Sequence, residues 1–276
     1  HALAAKKWGV ETQLSVYLED QLAAKAFREG QCDGVVASTF TTRQYHHFMG
    51  TINAVGLIAN HQVAYRVFAA LPEPKYAKFM RENEYESVGW IPIGPAYFMV
   101  KDRSINSITH LAGLNVGVMR EDPSQSRIAR RVGAIPQYIN FKNAATQFIK
   151  GQIDVLPAPI YAYQAFELHK GLGHQGGVIN YPISYISMTV MIKHQNFPKH
   201  YGQRSRQWFK QRTPAMMSNV MKWERTLPNK YWYDLPASER QSYQRLVLQM
   251  RKDFIESKIY NNAMVNLVLE KHCEVE

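Results

Sequence analysis

Phe27-Arg28-Glu29-Gly30-Gln31-Cys32-Asp33 returns later in the chain as Phe148-Ile149-Lys150-Gly151-Gln152-Ile153-Asp154. Four of the seven positions are identical, and the two glycines fall in register. The surroundings agree as well. Before the first copy, Val10, Thr12, Leu14 and Val16 alternate as strand residues do. Asp20 is a candidate cap for a helix carrying Leu22, Ala23, Ala26 and Phe27 on one side, and Gly30 ends it. Before the second copy, Tyr138, Ile139 and Phe141 fall in a strand, Asn143 is a candidate cap and Gly151 closes the helix. Short buried strands follow at 32–37 and 153–156. One strand–helix–strand module is therefore expected twice.

The second copy has more in front of it. Residues 114–119 read as a strand, and 124–132 as a helix ended by Gly133. That helix matches the amphipathic opening at Ala2–Trp8, which leaves the strand at 114–119 without a counterpart. A strand, preceded by a secretory leader, is accordingly expected upstream of His1. Alternating strands and helices predict an α/β fold with mainly parallel sheets flanked by helices. Two apolar segments, 96–101 and 187–193, bracket the second copy and each ends at a lysine. They are expected to carry the chain between two lobes: residues 1–98 with 193–276, and residues 99–192. Helical spacing over 205–225, 237–257 and 259–272 predicts a helical C-terminal segment packed on the first lobe.

The chain has 276 residues, of which 46% are hydrophobic and 20% charged, a globular balance with no apolar run long enough to span a membrane. The formal charge of +11 comes from scattered Lys and Arg, densest at Arg204, Arg206, Lys210 and Arg212. No zinc-finger spacing or RNA-binding aromatic signature accompanies it, so a basic surface is expected and no nucleic-acid partner. Two cysteines, Cys32 and Cys273, exclude a disulfide scaffold and a four-cysteine metal site; one bridge or two free thiols both fit. No Gly-x-Ser-x-Gly, phosphate-binding glycine loop or His-Glu-x-x-His occurs, so no catalytic residues, metal or cofactor are expected. Asp33 and Asp154 follow helix-ending turns and read as structural. His46 and His47 are neighbours that point apart and read as surface residues.

Ligands of open α/β sheets bind beyond the carboxyl ends of strands. That rule selects Ser38 and Thr39, Arg120, Tyr161, and the stretch holding Ser184 and Tyr185. Tyr161 could equally be core, and Arg120 could equally be solvated.

At this point the chain resembles the solute receptors of TRAP transporters, the DctP-like branch of the periplasmic binding proteins. Arg103–Ile108, Leu111-Ala112-Gly113-Leu114-Asn115-Val116, Val132-Gly133-Ala134-Ile135-Pro136 and Gly151–Asp154 carry the likeness. The resemblance implies a two-lobed, type II-like periplasmic-binding-protein fold that closes on a small-molecule ligand in the periplasm. It also implies delivery to membrane transporter subunits, and we expect a monomer. Such receptors carry one arginine in the strand at 114–119 and another on the strand entering the second lobe, both serving a substrate carboxylate. Here Gly117 and Tyr97 occupy those positions, and Tyr97 joins the expected ligand contacts. The departures set the chain in a divergent branch, some of whose members are linked to drug efflux. Two alternatives stand beside the receptor: an envelope or efflux accessory that binds a protein, and a receptor for an apolar or lipid ligand.

Overall fold

The two bracketing segments are parts of longer strands that lie side by side. In the computed structural model, which describes residues 1–274, there are nine strands. They are β1 (Gly34–Ser38), β2 (Arg81–Glu82), β3 (Tyr85–Val100), β4 (Asn115–Met119), β5 (Ile135–Ile139), β6 (Val155–Pro159), β7 (Gly177–Ile179), β8 (Ser184–Lys193) and β9 (Trp232–Tyr233). The main path runs β1-β8-β3-β6-β4-β5. β3 and β8 are antiparallel from Tyr85 opposite Lys193 to Ala96 opposite Ser184. From Ala96 onward β3 pairs with β6, while β8 pairs with β1 over Met188–Ile192. β3 therefore joins the half that holds β8 and β1 to the half that holds β4–β6, so the two sheets expected from the repeat are one continuous sheet. The expected boundary at 192/193 falls at the far end of β8, beyond the residues already paired with β1. Parallel pairing is confined to β4 with β5, β4 with β6, and β7 with β9.

Three of the four identities in the repeated heptapeptide have a physical reason. Gly30 and Gly151 take φ of +78° and +75°, a conformation that only glycine adopts without strain. The next backbone N–H closes the helix end in both copies: Gln31 N to Ala26 O and Gln152 N to Gln147 O, each 2.9 Å. The aspartate carbonyls then accept from the lysines that end the long strands, Lys193 N to Asp33 O at 3.0 Å and Lys101 N to Asp154 O at 3.1 Å. Those lysines reach back over the repeated phenylalanines, Lys193 over Phe27 and Lys101 over Phe148. The Asp154 carboxylate accepts from Asn115 N and that of Asp33 from Asn196, so both acids serve structural turns.

Other expectations are corrected. Residues 10–16 form no strand, and Leu14 and Leu18 are 86% and 98% exposed. Alternation alone does not make a strand; the backbone needs a ladder to join, and among the described residues none lies beside this segment. Asp20 is not the cap of its helix, which begins after Glu19; its carboxylate accepts instead from Ser38 N at 2.8 Å. Asn143 does occupy a helix N-cap, but its side chain accepts from Asn140 N. Of the C-terminal helices, Tyr201–Glu224 packs on β3 and the helix His61–Ala70, and Asn262–Cys273 packs on that same helix. The helix Ala237–Glu256 instead also touches the helix Pro123–Arg131, in the half that holds β4–β6. Cys32 is half-buried, Cys273 exposed, and neither is bridged.

His46 is a buried residue, 0% exposed, against the expectation of a surface histidine. Its Nδ1 accepts from Met49 N and caps the helix His47–Gly50, so the ring proton sits on Nε2. Burial holds its pKa below the ordinary value of 6.5. A second proton would turn the capping acceptor into a donor facing a donor. Because the folded pKa is the lower one, the unfolded chain binds more protons below about pH 6.5, and stability is lost as pH falls. The expected slope is up to about 1.4 kcal/mol per pH unit. His46→Asn keeps a cap acceptor without the titration. Its denaturation midpoint should vary less between pH 7 and pH 5 than that of the parent, and parallel curves would contradict this assignment.

Candidate functional site

β3, β4 and β6 present a run of apolar side chains to the space between the two halves. Ala96 and Phe98 project from β3, Val116 and Val118 from β4, and the rings of Pro157 and Pro159 from β6. Ile128 and Val132 close one side from the helix Pro123–Arg131. Phe40 and Val55 approach from the other half. Tyr243 and Leu246 cover the space from the helix Ala237–Glu256. The cavity is partly open and has a volume of about 110 Å³. Apolar lining with few polar groups is the usual character of a small-molecule site.

The polar groups at this cavity are few. Ser184 Oγ donates to Asn53 O at 2.6 Å, and Gln125 Oε1 accepts from Met119 N at 2.9 Å. Tyr243 is 7% exposed, and its hydroxyl makes no hydrogen bond among the described residues; burial pushes its pKa up. Gly117 lies at the wall, and a Cβ there would sit 3.1 Å from Ile139 Cδ1 and 3.3 Å from Leu156 Cδ1. Hydrocarbon thus fills the space beside the position where the resemblance expects an arginine.

The cavity is bounded by contacts that tie the halves together. Arg43, beyond β1, pairs with Asp122 at 2.6 Å, the two side chains being 10% and 1% exposed. Asp122 also accepts from Ser124 N and Ser124 Oγ and so caps the helix Pro123–Arg131. Tyr260 OH accepts from Val55 N and donates to Ser124 Oγ, linking the C-terminal region to both halves. At the surface, Gln21 bonds Glu121 and Lys142 bonds Glu19.

The residues selected from the sequence do not gather around one cavity. Ser184 lines it. Ser38 is buried as the cap of the helix Thr39–Thr42, and Thr39 Oγ1 is taken by Ser187 and Thr189. Arg120 is exposed, its guanidinium over the Tyr138 ring at 4.9 Å. Tyr97 and Tyr185 point to the opposite face of the sheet from Ala96 and Ser184. There Tyr97 OH donates to Glu224 at 2.7 Å, and His61 bonds both Glu224 and Tyr185 OH. Desolvation raises the pKa of both tyrosines, with the Glu224 charge adding to it. Tyr161 is on that side as well, its ring 5.1 Å from Trp223. A displacement of one residue along a strand reverses the face; the cavity-facing positions of β3 are Ala96 and Phe98. Tyr243 carried no local signal, because the docking of a helix is not written in its own spacing.

Comparison with solved structures identifies the fold as that of the TRAP periplasmic solute-binding proteins. One such protein from Ralstonia eutropha H16, with bound (S)-2-acetolactate, superposes with a TM-score of 0.78 at 12% identity, covering 99% of this chain and 92% of that one. Another from Desulfovibrio salexigens, with bound orotic acid, gives the same TM-score, identity and coverage. Residues 1–276 match the family described as solute-binding protein AdeT 1/2. The probable solute-binding protein AdeT1 of Acinetobacter baumannii is 35% identical over 274 residues, 99% of this chain and 90% of that protein. The chain belongs to the AdeT 1/2 solute-binding protein family.

Proposed function

We propose that the chain is the periplasmic receptor of a TRAP-like transport system, enclosing one small molecule between its halves and passing it to membrane subunits. The observation that carries this reading is a cavity walled by both halves and by the two strands that join them. We place the hinge where β3 is bulged, between Ser87 and Gly89 and between Pro92 and Gly94. Opening there separates Phe40 and Val55 from Val118 and Ile128. A ligand that touches both walls favours the closed state by its extra contacts in it. The relatives' names and the TRAP proteins with bound solutes support the same class of activity. The test is native mass spectrometry of protein purified without unfolding, paired with small-angle scattering before and after the captured molecule is stripped. A bound small molecule, and a larger radius of gyration once it is removed, are expected. An empty protein whose radius does not respond to any solute pool would count against a receptor.

A further inference from the structure

We infer that the solute is an uncharged, compact, ring-sized apolar molecule carrying one hydroxyl or carbonyl, which reaches the free Tyr243 hydroxyl. This rests on the receptor reading above and narrows it.

The first argument is charge. No Lys or Arg lines the cavity among the described residues. Of the buried cations behind the lining, Arg43 is taken by Asp122 at 2.6 Å and by Ile259 O at 3.0 Å, and Arg251 donates to Gly56 O at 2.6 Å. An ionised carboxylate brought in here would lose its water and gain no countercharge, and an isolated buried charge is among the costliest placements in a protein. An ammonium group would fare no better, because Asp122 is likewise consumed. A neutral molecule avoids both penalties.

The second argument is size and surface. An apolar cavity of about 150 Å³ stays dry and takes up benzene. The present cavity of about 110 Å³ is of that order and is walled by Phe98, Val118, Ile128, Pro157 and Leu246. A ring with a short substituent fits with small adjustments.

The third argument is the one open polar group. Ser184 and Gln125 are already bonded to the protein. The Tyr243 hydroxyl is not, although the residue is more than nine-tenths buried and lines the cavity. With no protein partner among the described residues, the hydroxyl is open to a guest that pairs with it. Its ring is fixed edge-on to Tyr181 at 5.5 Å and to Phe98 at 6.5 Å, which holds the hydroxyl in place for such a guest.

The experiment is calorimetric titration of the whole chain with four probes of one size: toluene, benzyl alcohol, benzaldehyde and benzoate. Benzyl alcohol and benzaldehyde should bind, with benzoate at pH 7.5 weaker by about a hundredfold or more. Tyr243→Phe should weaken the two oxygenated probes by about two- to tenfold and leave toluene unchanged, a selectivity that a merely structural role would not produce. Arg120→Ala, outside the cavity, should change none of them. Benzoate binding as well as benzyl alcohol would overturn the inference. So would a captured molecule that mass spectrometry identifies as an acid, and in that case the receptor reading stands. Failure of all four probes together with an empty purified protein would overturn both.

Discussion

Asp122→Ala should lower the free energy of unfolding by about 3–5 kcal/mol, the cost of leaving one member of a buried ion pair alone. Asp122 accepts from Arg43 at 2.6 Å, from Ser124 N at 3.1 Å and from Ser124 Oγ at 2.7 Å. The substitution removes a helix cap as well as a charge. Arg43 would keep only the Ile259 carbonyl, itself an acceptor but not an anion. Replacing both partners, as Arg43→Met with Asp122→Leu, should recover much of the loss, because two hydrocarbon side chains incur no charge burial. Urea midpoints of the single and double variants measure this. A loss below about 1 kcal/mol in the single variant would show that water, and not Asp122, satisfies the guanidinium. Because the pair joins the two halves, the single variant should also have a larger radius of gyration without added solute.

Arg206→Ala should cost about as much, roughly 3–5 kcal/mol, but without that second effect. Arg206 donates to Glu86 Oε1 at 2.7 Å and to the Ser87 carbonyl at 2.8 Å, with both charged side chains buried. Desolvation pulls the pKa of Arg206 down from its ordinary value, and the Glu86 carboxylate opposes that pull. Without Arg206, Glu86 retains the exposed Arg81 at 2.9 Å. The backbone at Gly202 also presses on this carboxylate, leaving no room there for a Cβ. The pair pins the helix Tyr201–Glu224 to β3, inside one half. Calorimetry should therefore show a lower Tm while the captured solute binds with unchanged affinity. A weakened affinity would mean that the helix transmits strain to the cavity.

The repeat was legible because its glycines take positive φ where the two helices end and its aspartates sit at the strand starts that follow, requirements met within a few residues. Local requirements leave local traces. Residues 10–16 had the alternation but no ladder, a difference that only tertiary structure reveals. The site was less legible for the same reason. The choice of strand-end loops found Ser184, but hydroxyls at Ser38 and Thr39 that look available in sequence are spent on caps and on Ser187 and Thr189. Tyr97 was selected one residue away from the positions that face the cavity, and in a strand one residue is the whole distinction. Gly117, by contrast, departed from the arginine that the resemblance implies there, and Ile139 and Leu156 surround the position with hydrocarbon.

The bulges in β3 bear on timing. The β3–β8 ladder is interrupted between Ser87 and Gly89 and between Pro92 and Gly94, where Phe209 and Val220 press on the two glycines. In the receptor proposed above, the slow step expected in letting a guest go is the parting of Arg43 from Asp122 and of Tyr260 from Ser124, both shielded from solvent. Dissolved salt screens exposed charges and barely reaches buried ones. The dwell time of a guest should therefore be nearly independent of ionic strength, even though the rim contacts Gln21–Glu121 and Lys142–Glu19 weaken as salt rises.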